Sequence, residues 1–364
     1  MNHLNKTIRK IHLWLGISCG LLASFSGLTG ALYVWQPEIT AALNPRLLTV
    51  RQVDSLPEET LMQTASQLIK VHKDSLVRVN LPYREQQTIS LLFNNGTTRY
   101  YHPKTTSFLG TKSASIHFFE QLLNVHRTLA IPIIGKYIMG GSTIIFLVII
   151  LGSGMFIWWK AYKSRLKKGF QIKWKGKKKR LNYDLHKVLG VYFLIPLILI
   201  ALSGAYFTYP TYYKSVLSLL DGTKKAQNQQ IESRYTFTQL FRIPDTTYAL
   251  RAIYFPKDGT DSYHFRYIQG RFISPGLRKS KELKITEANQ VISETSYELA
   301  PNSDKIALQF YPIHTGEIAG LAGRILVFIS GLVPLILYIT GIRMYWFKKK
   351  NRTKKSAPNV FSPK

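Results

Sequence analysis

Four stretches of this chain carry no charged side chain: Asp, Glu, Lys and Arg are absent between Lys10 and Glu38, from Tyr137 to Trp159, from Val188 to Tyr213, and from Ile325 to Ile342. A hydrocarbon layer of roughly 30 Å is crossed by about 20 apolar residues wound as a helix, which satisfies its own backbone polar groups. Four transmembrane helices are therefore expected. Mean hydropathy lies near zero only because the rest of the chain is polar.

The placement of charge orients the helices. The formal charge is +30, yet eleven Lys or Arg fall between Lys160 and Arg180 with no acid among them, and seven more follow from Lys348. Every acidic residue except Asp184 lies within 36–134 or 210–323. Basic segments stay on the cytoplasmic side, so the N-terminus, the middle loop and the tail are expected there, with two lobes on the far side of the bilayer. No motif turns the basic charge into nucleic-acid recognition, and no nucleic-acid partner is expected. The first apolar run follows Lys6, Arg9 and Lys10 as a signal peptide would, but it is long and no small-residue cleavage site follows Trp35 and Pro37, so an uncleaved anchor is expected. A lone Cys19 excludes a disulfide framework and a thiolate metal site.

In the first lobe, Leu61, Ala65, Leu68 and Ile69 share one face of a helix expected from Pro57 to Val71. Strands are expected at Leu76 to Val79, Thr88 to Phe93 and Thr98 to Tyr101, with a turn at Asn95-Gly96. The second lobe suggests a short helix at Phe237 to Phe241, strands at Tyr248 to Phe255 and Tyr263 to Ile268, and a turn at Asp258-Gly259, with little pattern from Pro275 to Asp304.

The chain also repeats itself. His12-Leu13-Trp14-Leu15-Gly16 resembles His186-Lys187-Val188-Leu189-Gly190, and fourteen residues beyond each Gly, Thr29-Gly30-Ala31 matches Ser203-Gly204-Ala205. His126 and His314 each precede a Gly-basic pair at one spacing, Gly135-Lys136 and Gly323-Arg324. Ser153-Gly154 then answers Thr340-Gly341, and Trp159 answers Trp346, after a slip of one residue. The expected fold is a mainly α membrane protein: a four-transmembrane-helix bundle built from a tandem two-helix repeat, with two small α+β lobes, its halves related by a pseudo-twofold axis along the membrane normal. The expected divisions are 1–36 (N-terminus and first crossing), 37–134 (first lobe), 135–159 (second crossing), 160–185 (basic loop), 186–209 (third crossing), 210–320 (second lobe), 321–347 (fourth crossing) and 348–364 (basic tail).

Four of the nine His occupy repeat-equivalent places. A single interfacial His is ordinarily an anchor or a helix end, but matched positions have no bearing on anchoring. His12 opposite His186, and His126 opposite His314, would supply the two axial imidazoles of a b-type haem at each face of the bundle. His3, His72, His102, His117 and His264 have no repeat partner and are expected at the surface, although His117 lies close enough to replace His126. Arg9, Lys10 and Lys187 inside, and Arg127, Lys136 and Arg324 outside, are candidates to pair with haem propionates, though interface anchoring accounts for them equally. Gly20, Gly27, Gly30, Gly152 and Gly154 suit helix packing first and close haem approach second. Trp35, Trp158, Trp159 and Trp346 fit an aromatic belt. No nucleotide or dinucleotide fingerprint is present, so electrons would have to come from a partner.

The pattern of His12-x-Trp14-Leu15-Gly16 with Gly27-Leu28-Thr29-Gly30, His126-Arg127-x-Leu129, His186-x-x-Leu189-Gly190 with Leu202-Ser203-Gly204-Ala205, and His314-Thr315-Gly316 with Gly323-Arg324 and Thr340-Gly341 resembles the PepSY-associated transmembrane family. The resemblance covers all four apolar runs and is weaker in the lobes, which would be PepSY-like. It implies a bacterial inner-membrane protein like the membrane siderophore reductases and iron-regulated membrane proteins of that family. Two b-type haems would be ligated by His12, His126, His186 and His314, with a cytosolic flavoprotein reductase as donor and a ferric siderophore as acceptor. Tyr83, Tyr100, Tyr101, Arg251, Tyr254, Tyr263, Arg266 and Tyr267 are the lobe residues suited to an anionic chelate. Two other classes compete: a PepSY-type binding module that restrains a periplasmic peptidase, and a haem or metal transporter. The first does not account for four paired His, and the second would call for further polar residues lining the bundle, against which the uncharged helices argue.

Overall fold

The computed structural model describes residues 3–50, 53–222, 247–256, 262–288 and 290–356. The helix expected at Phe237 to Phe241 and the turn at Asp258-Gly259 lie outside the described residues.

Among the described residues three helices are long and apolar enough to cross a membrane: His3–Val34, Gly135–Tyr162 and Glu317–Lys350. The third apolar run is a pair, Lys178–Tyr192 and Leu194–Thr208, bent by 60° and counted as a fourth crossing only if both halves form one span. Pro196 accounts for the break: it has no N–H to give the carbonyl of Tyr192, and its ring clashes there. The first and last helices touch most closely where Gly27 meets the backbone of Gly331, and a Cβ at either would collide with the other's carbonyl. Gly27 is thus a helix-packing residue, as expected.

The second apolar helix contains a π-helical stretch at Ile145–Leu151. A π-turn takes one more residue than an α-turn. The one-residue slip between the repeats is absorbed there, and Ser153-Gly154 arrives in place.

The two expected lobes share one sheet. Eight antiparallel strands, β1 (Leu76–Asn80), β2 (Ile89–Phe93), β3 (Thr98–Tyr101), β4 (Phe108–Thr111), β5 (Ala249–Tyr254), β6 (Ser262–Ile268), β7 (Ser280–Thr286) and β8 (Val291–Ser296), run in the order β4-β3-β2-β1-β5-β6-β7-β8. Each half is a meander, and the halves join where the first strand of one pairs with the first strand of the other, Val79 opposite Ile253. The expectation of two separate lobes is corrected by that pairing. One face packs on the helix Glu58–His72, whose Leu61, Ala65, Leu68 and Ile69 meet Val79, Leu91, Ile253, Phe265 and Ile285 in the sheet core. Fully burying a side chain of this size stabilises by about 1.5–3 kcal/mol.

Two further helices, Ala114–Thr128 and Asn302–Thr315, lead from the sheet to the second and last apolar helices and end on His126-Arg127-Thr128 and His314-Thr315. The turns that follow are tight. Leu129, Ala130 and Ile133 take positive φ in one, Gly316 and Gly320 in the other. Gly135 and Gly323 are needed because a Cβ would strike the carbonyls of Thr128 and Gly316. The repeated Gly-basic pair therefore marks a tight turn into each apolar helix.

Candidate functional site

The four repeated histidines form two facing pairs. At the end bearing the basic loop, His12 and His186 have ring centroids 6.3 Å apart and planes at 86°. At the sheet end, His126 and His314 stand 6.2 Å apart with planes at 56°. His12 and Thr29 lie on one helix, so about 25 Å of helix axis separates the two levels.

Each imidazole rests on a Ser/Thr-Gly step of another helix. Nδ1 of His12 meets Ser153 Oγ at 2.9 Å, Nδ1 of His126 meets Thr29 Oγ1 at 3.0 Å, Nδ1 of His186 meets Thr340 Oγ1 at 2.9 Å, and Nδ1 of His314 meets Ser203 Oγ at 3.1 Å. The adjacent Gly explains how the ring fits: a Cβ at Gly30, Gly154, Gly204 or Gly341 would lie 3.0, 3.2, 3.1 or 3.5 Å from the Cε1 of its His. Gly30 and Gly154 are imidazole seats; Gly152 has nothing within contact distance.

The hydroxyls fix the tautomer. Thr340 donates to Ile336 O at 2.7 Å, Ser203 to Leu199 O at 2.6 Å, Thr29 to Phe25 O at 2.9 Å and Ser153 to Ile150 O at 3.2 Å, all carbonyls of their own helices. With its proton so engaged, each hydroxyl accepts, and the His Nδ1–H donates to it. The Nε2 lone pair is then the free coordinating atom on every ring.

A cavity of about 570 Å³ opens beside the sheet-end pair, lined by His126, His314, Tyr33, Arg127, Lys136 and Tyr311 among others. That is the range of small-molecule sites, roughly 300–1,000 Å³. Of the basic residues considered for propionates, Arg127 and Lys136 line the cavity. Arg324 is instead bidentate to Glu38, donates to Val34 O at 2.6 Å and covers Trp35, while Lys187 is spent on Asp184 at 3.0 Å and Lys168 O at 2.7 Å.

Other expectations divide. His117 is largely exposed beside Glu120, and His126 is the one that faces His314. His72 and His264 are half-buried rather than at the surface: His72 packs edge-on against Phe93, and His264 stacks on Tyr254. Trp158 is buried rather than in a belt, donating to Gly169 O at 3.3 Å and packing on Phe170. Of the lobe residues suited to a chelate, Tyr101, Tyr263 and Tyr267 belong to the sheet core and Tyr100 packs on Leu47 and Leu48. Tyr83, Arg251, Tyr254 and Arg266 are half-buried outside that core. Sequence reading missed Arg84, Arg278 and Tyr311, which join them: Arg84 lies 5.1 Å from the Tyr83 ring centre and 5.2 Å from that of Tyr311, and Arg278 lies 4.9 Å from Tyr311. No periodicity marks them, since Arg84 and Arg278 stand in loops.

The apolar helices and the imidazole pairs set between them define a multi-pass membrane protein with two like sites at opposite ends of its helices. The chain belongs to the PepSY-associated TM region family, whose model matches residues 9–349. No curated protein matches it.

Proposed function

We propose that this is a dihaem b-type electron-transfer protein of the bacterial inner membrane, crossing it four times with both termini in the cytoplasm. It reduces ferric siderophores on the sheet side with electrons from a cytosolic flavoprotein reductase docked on the basic 160–185 loop. The single observation that carries this reading is the pairing of four tautomer-fixed imidazoles at two levels of the bundle.

The residues fit the group. Two imidazoles with ring centroids 6.3 and 6.2 Å apart and Nδ1 engaged elsewhere would be the donor pair for one haem iron each. Among the described residues no three His, Cys, Asp or Glu side chains gather as a bare metal site requires. Each pair would offer two ligands and leave the remainder to a macrocycle. His12 with His186, and His126 with His314, would hold one haem each.

A b-type haem between two imidazoles supplies reversible one-electron chemistry. The chain's own residues then orient and shield. Ser153, Thr340, Thr29 and Ser203 lock the ring planes, and Phe146, Leu197 and Val333 keep water out of the middle of the bundle. Arg127 and Lys136 offer charge at the rim of the sheet-end cavity. The basic loop suits an acidic donor.

Stopped-flow reoxidation of dithionite-reduced protein tests the acceptor. A ferric siderophore should reoxidise it faster than an equal concentration of a bulky ferric chelate. Replacing Tyr83, Arg251, Tyr254 and Arg266 should slow the step with the haem spectrum intact. Equally slow reoxidation by every ferric chelate would remove iron reduction and leave a protein- or quinone-linked carrier.

A further inference from the structure

Between the sheet and the helix that carries His314, three guanidiniums gather around two tyrosine rings. Arg251 lies 4.0 Å above the Tyr83 ring centre, Arg84 is held between Tyr83 and Tyr311, and Arg278 covers Tyr311. Tyr311 stands one helical turn from His314 and lines the sheet-end cavity. Glu317 takes Arg84 at 2.6 Å and Glu85 also feels its charge, but among the described residues neither Arg251 nor Arg278 has a carboxylate partner.

The cluster is short of acceptors as well as of negative charge. The Nε atoms of Arg84 and Arg278 are buried and make no hydrogen bond. An N–H withdrawn from water without an acceptor bears its full desolvation cost. Burial and the neighbouring Arg278, Arg84 and Arg266 lower the pKa of Arg251, against the favourable pull of Tyr83. Burial alone would raise the Tyr83 phenol, but Arg84, Arg278 and Arg251 outweigh it and lower it. Both shifts express a positive field that Glu317 and Glu85, acting on Arg84, offset only in part.

We infer that Arg84, Arg251 and Arg278 form a carboxylate-binding site on the sheet side of the His126–His314 pair. A guanidinium fork matches a carboxylate in two parallel hydrogen bonds, and the flanking Tyr faces hold a planar anion against the forks. Two sources carry that chemistry: a soluble organic acid, including a carboxylate-bearing ferric chelate, and the acid groups on the edge of a macrocycle held by His126 and His314. The first deepens the proposed function and rests on it for the identity of the ligand; binding itself does not.

The test is calorimetric titration of citrate into the full-length protein, purified with its native cofactors, in neutral-lipid nanodiscs. Saturable binding that weakens with salt is expected, lowered about tenfold or more by Arg251→Gln and by Arg278→Gln at unchanged haem content, which assigns the soluble source. Absence of citrate binding together with loss of the sheet-end haem, or a shift in its potential, in the same variants assigns the macrocycle edge and equally supports the site. Melting temperature checks the fold, and Arg278→Lys, which keeps the charge and loses the fork, replaces any Gln variant that does not fold. Absence of citrate binding with haem content and potential unchanged in both variants overturns the site while leaving electron transfer intact. A purified protein without haem contradicts the proposed function instead.

Discussion

Nδ1 of His126 lies 3.1 Å from the carbonyl oxygen of Ser26. A carbonyl only accepts, so that nitrogen carries the proton and Nε2 carries the lone pair. Nδ1 of His314 stands in the same relation to Ile200 O, at 3.0 Å. At the other end of the bundle His12 and His186 stand in the same relation to the Ile150 and Leu337 carbonyls, beside their contacts to Ser153 and Thr340. The two levels should therefore respond alike to loss of a hydroxyl.

Ser153→Ala and Thr340→Val are expected to weaken haem retention at the loop-end pair by about 10–100-fold, the usual effect of removing a partner behind a metal-bound imidazole. Thr29→Val and Ser203→Ala should weaken the sheet-end pair to a similar extent, since a carbonyl still holds Nδ1–H at both levels. Haem retention during dilution of purified variants measures both.

The glycine seats give a graded series. A methyl at Gly30, Gly154 or Gly204 would press on its imidazole at 3.0, 3.2 or 3.1 Å, whereas at Gly341 it would sit at 3.5 Å, an ordinary contact. Gly30→Ala, Gly154→Ala and Gly204→Ala should shift the reduced absorption band or lose haem from the pair concerned. Gly341→Ala should keep both haems, as difference spectra would record.

Acid should loosen the sheet before it affects the helices. The Glu282 carboxyl is brought from 4.5 down to about 2 by the His264 imidazole, whose Nε2 lies 3.2 Å away, against burial, with Arg266 adding to the effect. A carboxyl depressed in the folded state contributes stability that is complete above about pH 4.5 and is lost as pH falls toward about 2. Glu282→Gln should flatten the pH dependence of thermal melting in that window. The side chain is 37% exposed, so solvent screening keeps the effect small.

Topology is open to direct assay. Reporters fused after Lys350 or inside 160–180 should behave as cytoplasmic, and one at Asn95 as lying across the membrane. A cytoplasmic signal from Asn95 would contradict the orientation.

What the sequence discloses depends on the range of the interaction. The apolar runs are legible because a single charge in hydrocarbon is costly, and Pro196 marks the break in the third of them. His12, His126, His186 and His314 are legible through repetition, and so are the Ser/Thr-Gly steps, although their role as imidazole seats is not. β7 escapes the reading, and so do the edge strands β4 and β8, which lack a clean alternation: Phe108 opens β4 at 57% exposure and Ile292 in β8 is 55% exposed. The β1–β5 joint escapes it too, because pairing between segments so far apart leaves no local trace. The Arg84, Arg278 and Tyr311 cluster is assembled from two loops and a helix, which no spacing rule links.

Haem stoichiometry is the most direct measure of the paired sites. Purified protein should carry two b-type haems per chain with a sharp reduced band. His12→Ala and His186→Ala should each leave one haem with the same residual spectrum, and His126→Ala and His314→Ala should each leave the other. A protein without haem, or four His variants whose losses do not fall into those two pairs, would contradict the assignment.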